Sequence, residues 1–492
     1  MEKHTGSTRR DFIKMSGLAG AAALVPGAPA VASVKAAASG KAKNVIFLVV
    51  DGMCNGTLGL AHHWKLRHAG EAPHWIQLFE RPDLHRSLQD TASASSPVTD
   101  SAAAASAWGS GQRIMNGAIN VDPDGKPLKP ILSYAKAAGK KTGLVSTCRI
   151  THATPAGFTV SVPQRGMENA IARQYLEREV DLLLGGGARH FIQQQKDGSV
   201  VDLLAQFKAK GYQISRNRTE LLQAKKSQRL LGLFSESHMP YAIDRKNDRA
   251  LSSIPDLPEM FQTALTHLDD SRDGFFLQVE GGRVDHAGHA NDAGAILHEY
   301  LEFDRCIPIA LDYIEAHPET LLIVTTDHGT GGCQLDGQGK SYNGTGLALE
   351  RIDQITHSFE WLQKTFTKTG RFDPAVFASA TGIQPPREQT ASMQKALDGG
   401  VQYTDPQPTS EQTAMMQKAL DSGVKYLSNT IHEAFGQELN EITSVGWSSR
   451  KHTAECCDLL AFGPGSQPIP PFIHNNELFG HMLAAMGLEA SA

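Results

Sequence analysis

The sequence predicts an α/β fold with a mostly parallel central β-sheet, helices on both faces, and a helical and irregular insertion. Two observations predict this class. Short apolar runs rich in β-branched residues recur along the chain, and helix-like segments alternate with them. Strands that are apolar throughout, without an alternating polar face, are typical of parallel sheets buried on both sides.

Five apolar runs are predicted to be strands, and each leads into polar residues or glycines. The runs span residues 44–50, 142–146, 180–184, 275–279 and 321–326. In open sheets of this class, ligands bind beyond the carboxyl ends of the strands. Asp51, Glu280 and Asp327 all follow a predicted strand at that end, so we expect carboxylates to gather there.

Two helices are predicted between these strands, over residues 168–180 and 292–317. In the second, Asp292 is suited to the N-cap position, where its carboxylate can accept from free backbone N–H groups. Pro308 within it predicts a kink, because proline lacks the backbone N–H and its ring clashes with the preceding turn.

The first 36 residues are predicted to be a twin-arginine export signal. Arg9 and Arg10 are followed by Phe12 and Lys14, and then by a weakly apolar run with small residues suited to cleavage. The alternative is a membrane anchor, but glycines and prolines interrupt the run, and a span needs about 20 clean apolar residues. No later stretch is long and apolar enough to span a membrane. We therefore expect a periplasmic or secreted protein.

The length, charge and cysteine content of the chain exclude some classes of function. The chain has 492 residues and a formal net charge of −5. It exceeds the roughly 250–300 residues at which one core stops growing, so one large domain with an inserted or appended unit is expected. The balance of charge argues against specific nucleic-acid binding, which usually requires a basic surface. The six cysteines show no C-x-x-C spacing, and buried free thiols are expected.

Residues 346–435 are predicted to be an insertion into the main domain, which comprises residues 43–345 and 436–490. The segment is polar, is broken by prolines and contains a duplication, residues 388–403 and 411–426. Each copy is predicted to be a short helix that ends at glycine. A surface insertion without a role is one interpretation, and a lid or subunit contact is the other.

Carboxylates and imidazoles recur with spacings that suit metal ions. Asp285 and His289 are four residues apart and would share one face of a helix, and Asp327 and His328 are adjacent at a strand end. His452 lies far along the chain. Mixed Asp and His ligands suit zinc, whereas oxygen-only sets suit magnesium. Each residue alone is weak evidence, but the joint pattern indicates a metal centre.

Ser101 precedes an alanine-rich run that predicts a helix, with Thr99 or Asp100 as its N-cap. Ser101 would then lie in the first turn, where free N–H groups and the helix dipole favour a phosphate. The alternative interpretation is a simple capping serine, and the motif alone does not decide between the two.

Seven ordered motifs together resemble the alkaline phosphatase family, over nearly all of residues 44–488. The matching segments are 50–53, 98–103, 151–155, 183–188, 278–289, 325–329 and 452–453. The resemblance implies an enzyme that hydrolyses small phosphate monoesters through a phosphoserine intermediate, with two zinc ions and one magnesium ion. A homodimer is also compatible with it.

The resemblance also implies a role for individual residues. It assigns one zinc to Asp285, His289 and His452, a second zinc to Asp51, Asp327, His328 and the nucleophile Ser101, and magnesium to Asp51, Thr154 and Glu280. Arg165 falls where the family keeps its phosphate-binding arginine. His152 and His286 would lie around the magnesium and the substrate, where the best-known enteric bacterial enzymes have Asp and Lys. The pH optimum therefore does not transfer from those enzymes.

Three other functions fit the sequence less well. A sulfatase needs a C/S-x-P-x-R motif, which Cys148-Arg149-Ile150 does not fit. A phosphodiesterase of the same superfamily would tend to lack the magnesium residues and often uses threonine as nucleophile, whereas Thr154, Glu280 and Ser101 are present here. A non-catalytic binding protein on the same fold would usually have lost a ligand or the nucleophile.

Overall fold

The sheet is built around strand β1 (Asn44–Val50), in which every residue is buried. The computed structural model describes residues 41–490 except 196, 227, 386 and 399–429. The predicted export signal and the second copy of the duplication lie outside the described residues. Within these residues, no helix is long and apolar enough to cross a bilayer.

Ten strands form one sheet in the described part of the chain, in the order β16-β2-β15-β10-β1-β9-β3-β4-β8-β7. Three further pairs of short strands lie apart from it. The other strands are β2 (His85–Asp90), β3 (Lys141–Arg149), β4 (Leu182–Gly186), β5 (Ile192–Gln194), β6 (Val200–Asp202), β7 (Tyr212–Ser215), β8 (Arg229–Leu233), β9 (Phe275–Gly281), β10 (Thr320–Thr326), β11 (Gly329–Thr330), β12 (Cys333–Leu335), β13 (Val445–Trp447), β14 (His452–Thr453), β15 (Cys457–Phe462) and β16 (Phe472–His474).

The large sheet is mostly parallel, which confirms the predicted fold class. From β10 through β1, β9, β3, β4 and β8 to β7, all neighbouring strands pair in parallel. Only β15 is antiparallel to its neighbours, β10 and β2, while β16 pairs with β2 in parallel. The five runs predicted from the sequence are confirmed as β1, β3, β4, β9 and β10. The structure extends the second by one residue at its start, to Lys141, and by three at its end, to Arg149.

Both faces of the sheet are buried against helices. Along β1, Ile46, Leu48 and Val50 join one hydrophobic cluster, and Phe47 and Val49 join a second cluster on the opposite face. Successive side chains of a strand point to opposite faces, so a strand buried on both sides must be apolar throughout. This explains why the runs are continuous rather than alternating.

Helices of varied length cover the sheet. They are α1 (Asn55–Ala69), α2 (His74–Gln77), α3 (Ser101–Ser110), α4 (Ile131–Ala137), α5 (Ala153–Gly157), α6 (Glu168–Glu177), α7 (Leu203–Ala209), α8 (Arg218–Leu222), α9 (Ala242–Asn247), α10 (Leu257–Leu268), α11 (Arg283–Ala290), α12 (Ala293–Asp304), α13 (Cys306–Ala316), α14 (Thr345–Ile352), α15 (Phe359–Thr369), α16 (Pro374–Thr381), α17 (Arg387–Asp398), α18 (Thr430–Thr443) and α19 (Glu477–Met486). Short 3-10 helices span Leu78–Glu80, Ala188–His190, Arg249–Leu251 and Lys340–Tyr342.

The predicted helix over residues 292–317 is divided into α12 and α13. Asp292 caps α12 as expected, with its side chain accepting from the backbone N–H of Ala295. The break falls at Arg305 rather than at Pro308. Proline cannot donate to the carbonyl four residues before it, here that of Asp304, and its ring clashes with that carbonyl. The disruption therefore appears one turn before the proline.

The inserted segment contains helices that pack around a small core of their own. Phe359, Phe366, Phe377 and Phe435 meet in this cluster, and Ala290 of α11 joins it. The first copy of the duplication is helical in its described part, as α17. The domain boundaries inferred from the sequence stay a prediction. Helix α15 of the inserted segment contacts the main domain, and these contacts are described below.

Candidate metal centre

The candidate site lies at the carboxyl ends of four adjacent strands, β10, β1, β9 and β3. Val50 pairs with Thr326 on one side and with Gly281 on the other, so Asp51, Glu280 and Asp327 emerge at the same level of the sheet. Parallel pairing brings these strand ends to one edge, as predicted.

Asp51, Asp327 and His328 form a fully buried group whose ligand atoms lie within 4.8 Å of one another. Oδ1 of Asp327 accepts from the backbone N–H groups of Gly52 and His328, both at 3.0 Å. Its Oδ2 and the Oδ1 of Asp51 have no hydrogen-bond partner. Buried carboxylate oxygens without a donor are costly, and a cation between them would remove that cost.

Asp285, His289 and His452 form a second such group. Nε2 of His289 lies 3.1 Å from Nε2 of His452, and each lies 3.4 Å from Oδ1 of Asp285. The Nδ1 atoms contact the carbonyl oxygens of Arg450 and Thr99, both at 2.8 Å. A carbonyl oxygen only accepts, so each Nδ1 carries a proton. In the neutral form of each ring, the lone pair of Nε2 then faces Asp285.

Two lone pairs that face each other beside a carboxylate suit a positive ion. Neutral imidazole bound through one nitrogen, with the other nitrogen held by a carbonyl or carboxylate, is the usual arrangement of histidine ligands of zinc. The donor set therefore fits zinc. The rings of His328 and His452 stack at 3.7 Å, which joins the two groups into one centre.

Thr330 links the two groups, and the sequence analysis missed it. Its hydroxyl donates to Oδ1 of Asp285 at 2.6 Å and lies 3.3 Å from Nδ1 of His328. Because the hydroxyl proton is engaged by Asp285, its oxygen accepts from Nδ1 of His328, and the other ring nitrogen, Nε2, faces the site. No motif marked Thr330, although it stands two residues after His328.

Ser101 opens α3, whose N-cap is Asp100, with the Asp100 carboxylate accepting from the N–H of Ala103 at 2.9 Å. Its side chain is buried, and its Oγ lies 3.3 Å from Nε2 of His328. Ser101 is therefore not the capping residue, and its hydroxyl points into the metal centre. This arrangement favours the phosphate-site interpretation over that of a capping serine.

Glu280 and Thr154 lie on the other side of Asp51. The hydroxyl of Thr154 donates to Oδ2 of Asp51 at 3.2 Å. Ser146 donates to Oε2 of Glu280, while Oε1 of Glu280 is buried without a hydrogen-bond partner. Two carboxylates and a hydroxyl make an oxygen-rich set, which fits magnesium.

Arg165 lies at the rim of the centre. Its Nη1 donates to Oδ2 of Asp100 at 3.0 Å, and its Nη2 donates to Nε2 of His152 at 3.0 Å. Asp100, which the sequence suggested only as a cap, thus orients both Ser101 and Arg165. The Arg165 side chain keeps 29% of its surface exposed, so the guanidinium is accessible to a ligand.

The charges in the centre favour binding of cations. Burial raises the pKa of Asp51, and the neighbouring charges of Asp327 and Asp285 raise it further. Burial and the charge of Asp327 raise the pKa of Glu280 to about 7. Carboxylates that repel one another in a buried site are stabilised by bound metal ions, which offset the shared negative charge.

His238 was missed by the sequence analysis. It lies in the loop after β8, with its ring 4.3 Å from that of His286 and 5.4 Å from that of His152. Its position after a strand of the parallel sheet was a usable signal, but β8 itself was not predicted. Cys148, His238 and His286 also place ligand atoms within 4.8 Å of one another.

The structure brings all the predicted site residues into one connected cluster. They are Asp51, Ser101, His152, Thr154, Arg165, Glu280, Asp285, His286, His289, Asp327, His328 and His452. His286 joins the cluster through His152, whose ring lies 5.6 Å from its own.

Comparison of the sequence with known proteins finds alkaline phosphatases as relatives. The alkaline phosphatase family model matches residues 42–488. Alkaline phosphatase 3 of Bacillus subtilis is 32% identical over 463 residues, covering 90% of this chain and 89% of that protein. The repressible alkaline phosphatase of Saccharomyces cerevisiae is 38% identical over 359 residues, covering 66% of this chain and 62% of that protein.

Solved structures agree with the sequence relatives. The crystal structure of Thermus thermophilus alkaline phosphatase superposes with a TM-score of 0.80 at 34% identity, covering 95% of this chain and 96% of that one. A variant of the alkaline phosphatase of the Antarctic bacterium TAB5, described with magnesium bound in its M3 site, gives a TM-score of 0.62 at 25% identity, covering 92% of this chain and 99% of that one.

Proposed function

The chain belongs to the alkaline phosphatase family of metal-dependent phosphomonoester hydrolases, and from that premise we propose that it hydrolyses small phosphate monoesters through a phosphoserine on Ser101. The observation that carries the proposal is the position of the Ser101 hydroxyl, 3.3 Å from Nε2 of His328 within a complete set of metal-ligating side chains. A protein that only bound phosphate would not need a nucleophile in this place.

We propose two zinc sites and one magnesium site. Asp285, His289 and His452 would hold the first zinc, and Asp51, Asp327 and His328 the second, with Ser101 beside it. Asp51, Thr154 and Glu280 would hold magnesium, with Asp51 shared between the two ions. The unpartnered oxygens of Asp51, Asp327 and Glu280 support these assignments, because each needs a donor or a cation.

When bound, the zinc ions would offset the charge of the phosphoryl group and lower the pKa of an oxygen that they bind. In our proposal Oγ of Ser101 attacks phosphorus in line, forming a P–O bond as the ester oxygen leaves with its electron pair and takes up a proton. Water then attacks the phosphoserine, which releases phosphate and restores Ser101. Arg165 binds two phosphoryl oxygens through its planar guanidinium and stabilises their charge.

The test is hydrolysis of p-nitrophenyl phosphate and bis-p-nitrophenyl phosphate at alkaline pH, before and after chelation and after return of zinc and magnesium. We expect a strong preference for the monoester, loss on chelation, and recovery only with both metals. Ser101→Ala should lower kcat by several orders of magnitude, as loss of a nucleophile does in other enzymes. Ser110→Ala, whose hydroxyl donates to the carbonyl of Ser106 on the same helix, is the matched control.

Two outcomes would contradict the proposal. A preference for the diester would make the protein a phosphodiesterase with the same fold and metals. Lack of activity on either ester, in protein shown to contain metal, would leave only a binding function.

We also propose that the protein is exported by the twin-arginine pathway, on the strength of Arg9 and Arg10 and the run that follows them. Replacing both arginines by lysine should retain the precursor in the cytoplasm, and cell fractionation with an antibody would measure this. Unchanged export of that variant would refute the proposal.

A further inference from the structure

The start of helix α15, in the inserted segment, is bound to the main domain at successive residues. The N–H and hydroxyl of Ser358 donate to the two carboxylate oxygens of Asp244, at 2.8 and 2.6 Å. The N–H of Phe359 donates at 2.7 Å to Oδ2 of Asp292, the cap of α12. These carboxylates are buried, so the segment is fixed at this point and not loosely attached to the surface.

The third residue in this row, Glu360, reaches the helix that carries Asp285. Its carboxylate accepts at 2.5 Å from Nη2 of Arg283, the first residue of α11. The guanidinium carbon of Arg283 lies 3.8 Å from the centre of the Tyr241 ring, and its side chain is only 3% exposed. Glu360 and Tyr241 therefore hold the guanidinium in one orientation.

Arg283 in turn decides which nitrogen of His286 carries a proton. Nη1 of Arg283 lies 3.2 Å from Nδ1 of His286. Arginine has only donors, so Nδ1 must accept. A neutral imidazole has one acceptor and one donor, and the proton of His286 therefore stays on Nε2. A series of contacts thus connects Glu360 of the inserted segment, through the guanidinium of Arg283, to His286, which follows Asp285 in the sequence.

The same contact occupies an atom that a metal ion would need. Sγ of Cys148 lies 3.9 Å from Nδ1 of His286, and these residues with His238 form a group that could hold a metal. Thiolate and imidazole ligands attract zinc strongly. Arg283 uses the lone pair of Nδ1 and brings a fixed positive charge, which disfavours a cation at this position. A second guanidinium, that of Arg149, contacts Nε2 of His238 and adds to this effect.

We propose that Glu360 and Arg283 form a positioning pair through which the inserted segment holds His286 as an Nε2–H donor and keeps metal ions out of the neighbouring Cys148–His238–His286 group. The inference rests on the proposed phosphatase function, since it makes the insertion a supporting part of that active site. A catalytic centre with several metal sites gains from such a device, because an additional zinc ion beside Glu280 would compete for its carboxylate.

The first test is ¹⁵N NMR of the histidine rings in protein loaded with zinc and magnesium, with the signals of His286 identified by their absence in His286→Gln. We expect Nδ1 of His286 to be unprotonated in the wild type. In the double variant Arg283→Met, Glu360→Met the proton should distribute over both nitrogens. Paired apolar replacement is chosen because buried ion pairs often tolerate it, whereas removing one partner leaves an uncompensated charge.

The matched control is Lys364→Gln, which removes the other partner of Glu360, on its exposed side, and leaves Arg283 in place. Its His286 signals should equal those of the wild type. A wild-type Nδ1 that carries a proton, or a tautomer unchanged in the double variant, would overturn the inference.

The second test is titration of the protein loaded with zinc and magnesium with Co²⁺, which gives a thiolate-to-metal absorption band when cysteine binds. We expect no such band in the wild type. The double variant should bind one additional equivalent with that band, and adding Cys148→Ser should abolish it. A thiolate band in the wild type, or none in the double variant, would refute the exclusion of metal.

Kinetics separates this inference from the function on which it rests. The double variant Arg283→Met, Glu360→Met should lower kcat on p-nitrophenyl phosphate by about tenfold or more, as loss of outer partners of metal-site residues does, with KM changed much less. Glu360→Asp, which keeps a carboxylate for Arg283, should retain the wild-type kcat. An inactive wild type would refute the proposed function. An active wild type with unaltered turnover in the double variant would refute the inference alone.

Discussion

The Nδ1 contacts of His289 and His452 come from parts of the chain that are not themselves ligands. The carbonyl of Arg450 binds one and that of Thr99 binds the other. Such partners fix both the tautomer and the direction of the ring, and they raise the basicity of the nitrogen that faces the metal. Thr99 thereby connects the helix of Ser101 to the first proposed zinc site.

Loss of one imidazole should weaken that site specifically. His452→Ala removes the Nε2 that faces both His289 and Asp285, and we expect it to lower the affinity of one zinc equivalent by at least about tenfold. Metal content after equilibrium dialysis at graded free zinc would measure this. His474→Ala, on β16, removes a half-exposed histidine that binds Asp90 and should leave the zinc content unchanged.

Two outcomes would contradict this assignment of the zinc ligands. If His452→Ala retained all its zinc with unaltered affinity, the group formed with Asp285 and His289 could not be the first zinc site. If magnesium alone were lost, the two kinds of site would have to be exchanged.

Helices α3 and α5 carry Ser101 and Thr154, and they approach each other through glycines. A methyl group at Gly109 would lie 2.0 Å from the carbonyl oxygen of Gly157, and one at Gly157 would lie 2.6 Å from Cβ of Ala105. Only residues without a side chain allow this approach. The contact sets the separation of the two helices, and with it the distance between the nucleophile and the proposed magnesium ligand.

Gly109→Ala should therefore push the helices apart. We expect a loss of about 1–3 kcal/mol in the free energy of unfolding, as for other overpacked contacts, together with reduced kcat. Denaturant unfolding and steady-state kinetics would measure both. Gly480→Ala is the control, because Gly480 lies in helix α19 with nothing within 4 Å of its added methyl group. It should leave activity unchanged, and a neutral Gly109→Ala would contradict the packing argument.

Across the whole molecule, the inserted segment is fixed to the main domain partly by Asp244. The pKa of Asp244 is raised to about 6, chiefly by burial and to a smaller extent by the charge of Glu360. The hydrogen bonds from Ser358 and the charge of Arg283 lower this pKa, but they do not offset the effect of burial. A protonated Asp244 therefore stabilises the folded protein fully at pH values below its ordinary pKa of 3.8. That contribution is lost as the pH rises through about 6.

Asp244→Asn should remove this dependence on pH. The amide can still accept from the N–H of Ser358 and donate to its hydroxyl oxygen. We expect the difference in the free energy of unfolding between wild type and variant to shift by up to about 3 kcal/mol in favour of the variant between pH 4 and pH 7.5. Denaturant unfolding across that range would measure it. A constant difference would show that Asp244 is ionised throughout.

Much of the fold could be predicted from local pattern. The five predicted strands became β1, β3, β4, β9 and β10, because a strand buried on both faces has to be apolar along its length. Strands β2, β15 and β16 were not predicted. β2 and β16 include exposed residues, and β15 contains Asp458, so their sequences do not carry that continuous apolar pattern.

The sequence by itself determined which residues end the central strands and which of them carry carboxylates and imidazoles, because strand formation and i, i+4 spacing depend on neighbours in the chain. Only the tertiary structure decided the partners of those side chains. His452 meets the carbonyl of Thr99 across 353 residues, and Thr330 meets Asp285 across 45. The sheet order β10-β1-β9-β3 brings them together, and that order follows from packing of the whole chain rather than from any local pattern.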